Sequence, residues 1–271
     1  MKSCNLQKSL LCKSHFINHN MIEKVSQISK ALSALSKGDV SFNARLPIIL
    51  KVLGKLEGAK YLLQIGTKTL QTTSHKPLEI GQKYWGQMSS NSLGGIVLSN
   101  LAPYPKILDF AQKSPLNLES AQLQELLSQH SENLLEDFSA LLLQKMPLAQ
   151  SKQELEYLGF LLLGLRQKVI SLSFEDKGKK QCLLQLKLEP KKLLFSAVMP
   201  SLGLIEGAVW VVDSQKYLEI KANFKSTLEL LEQNLSALNT EGAFESVSFK
   251  HDLALKPFFE MPEEHILNVK G

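Results

Sequence analysis

Cysteine is nearly missing: the 271 residues contain Cys4, Cys12 and Cys182 alone. An odd number without framework spacing argues against a disulfide scaffold and suits a reducing compartment. Cys4 and Cys12 lack the CxxC or histidine pair of a metal site and read as incidental thiols. Arginine is scarcer still, with only Arg45 and Arg166. Planar, bidentate phosphate recognition leans on arginine, so the net charge of +5, spread over dispersed lysines, does not describe a dedicated nucleic-acid reader. Long apolar runs are also lacking. Runs such as those at 141–143 and 160–163 fall far short of the roughly 20 residues that a membrane helix needs. Residues 1–13 carry no apolar core followed by a small-residue cleavage site, which argues against a cleaved secretory signal. The expected location is the cytoplasm, and export through an uncleaved N-terminal signal stays open.

Apolar residues make up 44% of the chain, enough to build a core, and the length suits two domains. Residues 1–20 are polar and aperiodic and read as poorly ordered. From there Ile22, Val25, Ile28, Leu32 and Leu35 recur at three- and four-residue steps, which predicts an amphipathic helix over 21–36. Residues 1–44 thus form a mobile N-terminus plus one helix. The period then changes to short strands at 46–53, 61–65, 67–73, 84–88 and 96–98, with glycine-bearing turns and no helix between them. That spacing predicts a small β-barrel of OB or SH3 type over 45–100. Residues 101–167 read as a helical connector, with helices over 106–112, 118–145 and 152–167, the long one ended by Pro147.

From 168 the chain alternates again. Val169, Ser171 and Ser173 fall on one face of a strand; Ile170, Leu172 and Phe174 fall on the other. Asp176-Lys177-Gly178-Lys179 reads as a hairpin turn. Strands follow over 182–188, 193–199, 205–213 and 217–224, then a helix over 225–239 and a last strand over 245–250. The fold class expected is α+β: a small barrel, a helical spacer, and a C-terminal α+β domain over 168–252 with one main helix on a sheet. Residues 253–271 read as a tail, its Glu260, Glu263 and Glu264 solvated or serving as a docking peptide.

The stretch 193–250 resembles the C-terminal domain of the flagellar hook-length control protein family. The pattern is a strand, the turn Pro200-Ser201-Leu202-Gly203, the strand from Ile205 to Val212, a further strand to Phe224, a helix carrying Leu228, Leu231 and Leu235, and a closing strand around Ser246-Val247-Ser248. The likeness covers roughly a third of the chain, at the level of elements. It implies a non-enzymatic, protein-binding role. The implied partner is the cytoplasmic part of the flagellar export-gate protein, and the implied effect is on which substrates the type III export apparatus secretes. No catalytic residue carries over. The partner-binding candidates are Pro200, Leu202 and Gly203 at the turn, together with Trp85, which sits beside Tyr84 and reads as an exposed contact. Trp210, between Val209 and Val211, reads as core. The low proline content ahead of the domain departs from a length-measuring ruler.

Other chemistry does not assemble. His15 and His19 are four apart in a polar segment and no other histidine has ligand spacing, so no metal is expected. His251-Asp252 are neighbours on a strand and point to opposite faces. Gly94-Gly95 lacks a phosphate-loop context, and no GxSxG elbow occurs. Neither a catalytic group nor a cofactor is expected. A different class of function, binding of single-stranded nucleic acid on the barrel through Tyr61, Tyr84, Trp85 and neighbouring lysines, is the alternative.

Overall fold

Alternation decides the larger sheet. In a computed structural model, which describes residues 46–74, 76–90, 96–111, 117–119, 134–175, 180–238 and 243–260, five strands form an antiparallel meander: β7 (Val169–Glu175), β8 (Gln181–Glu189), β9 (Lys192–Met199), β10 (Gly203–Val212) and β11 (Gln215–Ala222). Register puts Leu172 opposite Leu184, Leu186 opposite Phe195, and Val209 between Leu193 and Leu218. Because side chains alternate across a strand, these residues share one face, and all are sealed from solvent. The other face carries Ser171, Gln185, Ser196, Glu206 and Lys221 in one cross-strand row.

The two edges of this sheet are parallel: β6 (Asn117–Glu119) pairs with β7, and β12 (Ser246–His251) pairs with β11. A parallel pair needs a crossover. Between β11 and β12 the crossover is α4 (Lys225–Gln233) with the short α5 (Leu235–Leu238). Between β6 and β7 the chain includes α2 (Leu134–Lys145), a 3-10 turn (Met146–Leu148) and α3 (Lys152–Arg166). Pro147 in the 3-10 turn stops α2, and Ser151 caps α3 by accepting the Glu154 N–H at 3.1 Å.

The smaller sheet contains β1 (Ile48–Lys55), β2 (Lys60–Ile65), β3 (Lys68–Thr73), β4 (Lys83–Ser90) and β5 (Ile96–Pro103), in the order β3-β2-β1-β4-β5, all antiparallel. Leu50, Val52, Tyr61, Leu63, Leu78 and Tyr84 make its own small core. The hydroxyls of Tyr61 and Tyr84 accept the backbone N–H groups of Leu78 and Glu79, which pins the β3–β4 loop over that core.

This arrangement corrects the α+β layout expected from sequence. The five strands do not close into a barrel: among the described residues β3 and β5 do not pair, so the sheet is open. The connector is not a spacer. Tyr157, Leu158, Phe160 and Leu161 of α3 are all buried in the same core as the seven-stranded sheet, and α3 packs against β7. A helix so apolar around its circumference is built to be enclosed rather than to bridge two modules through solvent. The short helix α1 (Ile107–Ala111) buries Ile107, Leu108 and Ala111 and touches β8. Residues 118 and 119, read as the start of a long helix, belong instead to the edge strand β6. The C-terminal sheet therefore carries more than one helix, and both layers are sheet-rich. The helix expected over 21–36, the 176–179 turn and the end of the tail lie outside the described residues.

Candidate protein-binding face

Three of the four residues singled out from sequence meet at one place, and a fourth completes it. The Pro200-Ser201-Leu202-Gly203 turn joins β9 to β10, and Trp85 of β4 donates its indole N–H to the Pro200 carbonyl at 3.2 Å. Leu202 is fully buried, and its carbonyl accepts the Thr227 hydroxyl at 2.7 Å. Gly203 has φ +83°, and a Cβ there would stand 2.5 Å from Asn223 Oδ1 and 2.6 Å from the Phe224 ring. The same Asn223 oxygen accepts the Leu204 N–H at 3.0 Å. Glycine permits the left-handed backbone and the close approach together. The turn is thus a junction of β10, α4 and the smaller sheet. All four candidate side chains or backbones are buried, so they position the fold and offer no free surface in this state.

Trp85 and Trp210 exchange the roles expected of them. Trp85 is 1% exposed and packs on Tyr104 with ring centroids 4.9 Å apart. Trp210 is half-buried on the polar face of β10 and stacks on Tyr217 of β11, at 5.8 Å and 15°. The signal was in the phase of the strand: Trp210 lies in step with Glu206 and Ala208, not with the buried Ile205 and Val209. Around the stack, Lys192 Nζ sits 5.6 Å from the Trp210 ring centroid. Lys221 bridges Glu206 at 3.4 Å and Glu219 at 3.7 Å, and Lys250 pairs with Glu219. The hydrogen bond from Lys250 holds the Glu219 carboxyl below the usual carboxylate range, outweighing the opposing effect of burial, and the charges of Lys250, Lys221 and Lys192 add to it.

The result is an open sheet face: an aromatic pair with a lysine over it, set beside a ladder of neutralised charges. Aromatic rings wetted on one side and ringed by polar groups are the composition of interface centres. Charges already paired in the free protein cost less to bury than lone ones.

A cleft of about 340 Å³ lies where the smaller sheet meets the turn, lined by Tyr84, Trp85, Tyr104, Leu204 and the segment 253–257. Burial, and after it Asp109 and Cys182, raise the Tyr104 hydroxyl well above the usual tyrosine range, so it stays protonated at any ordinary pH. Gln82 Nε2 donates to the Tyr104 carbonyl at 3.1 Å. Among the described residues no group of three or more His, Cys, Asp or Glu side chains is placed to hold a metal ion. Tyr61, Tyr84 and Trp85, the aromatics that a nucleic-acid platform would need, are buried, and His251 reaches the Asn223 carbonyl rather than a carboxylate. No helix among the described residues is long and apolar enough to cross a membrane. Set against protein-family models, curated proteins and solved structures, the chain has no significant match in any of the three.

Proposed function

We propose that this chain is a non-enzymatic protein-binding factor of the flagellar hook-length control type, which governs substrate switching or secretion by the flagellar type III export apparatus. The open Trp210–Tyr217 face on the β10–β11 hairpin carries this reading. It lies on the strands that follow the Pro200-Ser201-Leu202-Gly203 turn, inside the stretch whose element order resembles that family. A partly exposed indole stacked on a phenol and bordered by paired charges supplies affinity through its rings and register through its charges. The proposed partner is the cytoplasmic domain of the export-gate protein. The reading puts the chain in the cytoplasm, with passage through the flagellar apparatus left open. No substrate or cofactor enters it.

Calorimetric titration of the full chain with that cytoplasmic domain is the test. Saturable binding that weakens when Trp210 is replaced supports the reading. A folded chain that shows no heat of binding at high micromolar concentration overturns it.

A further inference from the structure

Beyond β12, residues 252–260 stay on the fold. Asp252 N–H donates to the Ala222 carbonyl, Asp252 Oδ1 accepts the Ala254 N–H, and residues 253–260 then cross to the polar face of the large sheet. There Gln185 grips a single residue from both sides. Its Nε2 donates to the Phe259 carbonyl at 2.7 Å, and its Oε1 accepts the Phe259 N–H at 3.1 Å. The Phe259 ring lies 4.6 Å from that of Phe160 and over Gly164, where a Cβ would press it at 3.1 Å.

Phe259 enters the main core and Leu255 and Phe258 pack against it. Among the described residues, however, the backbone of 253–260 joins no strand ladder and is held at Phe259 by the Gln185 clasp, and the cleft of about 340 Å³ undercuts residues 253–257. The row it reaches at Gln185 is polar, beside the buried Leu183, Val198 and Leu204 of the same face. Ser171, Gln185 and Ser196 lie directly opposite one another on β7, β8 and β9, and the same row continues into Glu206, Lys221 and Lys250 on the open face. Ser171, Gln185 and Ser196 are no more than 2% exposed, and the Ser196 hydroxyl has no hydrogen-bond partner among the described residues. A buried hydroxyl without a partner, next to Gln185 in this row, is a cost to the closed state. The apolar side of the sheet stays sealed throughout.

We propose that residues 253–260 are a displaceable strap, and that its departure opens a seat where Gln185 clasps an aromatic residue of an incoming protein's extended segment in the place of Phe259. An amide that pairs with both the N–H and the C=O of one residue reads extended backbone of any sequence, as an added strand does. The ring pocket formed by Phe160 and Gly164 then selects an aromatic. The seat is continuous with the Trp210–Tyr217 face, so one partner spans both. The incoming-protein part rests on the protein-binding reading above.

Hydrogen exchange of the full chain decides whether the strap opens alone. The Phe259 amide is expected to exchange at least about tenfold faster than the central amides of β8, by local opening. Equal rates would mean that it opens only with the sheet, which overturns the proposal. A labelled synthetic peptide of residues 253–260 then probes the seat. It should bind Phe259→Ala at least about tenfold more tightly than the wild type, whose own strap competes, and binding should vanish in a Gln185→Leu, Phe259→Ala double variant. A folded Phe259→Ala chain that ignores the peptide sinks the idea. If that variant does not fold, the exchange rates of the wild type still decide. Finally, the export-gate domain should bind Phe259→Ala more tightly than the wild type. Unchanged binding removes the seat but keeps the protein-binding reading; peptide binding without gate binding does the reverse. A dimer lost in Phe259→Ala would make a second copy the occupant and overturn the incoming-protein part.

Discussion

The indole N–H of Trp85 and the carbonyl of Pro200 are joined at 3.2 Å across 115 positions of the chain. This bond fastens the smaller sheet to the turn that starts β10, and Tyr104 packs against the same ring. Replacing Trp85 with phenylalanine keeps a ring but leaves the Pro200 oxygen without its donor, a loss of about 1–3 kcal/mol. Alanine removes the ring as well and should cost about 3–5 kcal/mol. Urea unfolding measures both; a Trp85→Phe variant as stable as the wild type would show that the bond contributes nothing.

Gly203→Ala should destabilise more than most single substitutions, by roughly 2 kcal/mol or more, because it adds left-handed strain to a Cβ that meets Asn223 and Phe224 below 3.0 Å. The damage should spread to the Leu204–Asn223 hydrogen bond. Thermal unfolding together with loss of protection at the Leu204 amide is the signature. An unchanged melting temperature would mean that the turn relaxes at no cost.

Glu219 makes stability depend on acid pH. Its folded pKa lies below the ordinary 4.5 because Lys250 hydrogen-bonds to the charged form. A depressed carboxylate stabilises the fold fully above its unfolded pKa, and that contribution disappears as pH falls through the lower folded value. Stability should therefore decline below about pH 4.5, and Glu219→Gln should flatten part of that decline while costing stability near neutrality. The group is partly exposed to solvent, so salt should shrink the difference. Identical acid limbs for the two proteins would refute this assignment.

Trp210→Ala separates binding from folding. The ring is partly exposed and stacks on Tyr217, so its loss should cost about 1 kcal/mol of stability, near the worth of one aromatic pair. Affinity for the export-gate domain should fall at least about tenfold. Loss of binding with loss of fold would instead mark Trp210 as a structural residue.

Much of the local structure could be read along the chain. Period-two alternation marked the strands of the large sheet, Pro147 marked the end of α2, and the leucines after Lys225 marked α4. The open order of the smaller sheet could not be read, because short strands between glycine turns suit a barrel and an open sheet equally. Only the absence of a β3–β5 pair among the described residues separates the two. The helices around α3 were visible as helices, but not as part of the C-terminal core, since what encloses them comes from residues far away in sequence.

The candidate site divides in the same way. The polar phase of β10 and β11 placed Trp210 and Tyr217 on the face of Glu206, Glu219 and Lys221, and that phase is in the sequence. Whether such a face meets water or a cover is not. Alternation is a property of the backbone within one strand, so it sorts residues into two faces without saying what lies above either. The tertiary structure decided that Trp85 is enclosed at the Pro200 turn, that Trp210 stays open, and that Gln185 at the other end of the same face is capped by Phe259. Each of those outcomes depends on a contact between segments at least 74 positions apart, or on the lack of one, and no local pattern encodes a contact at that range.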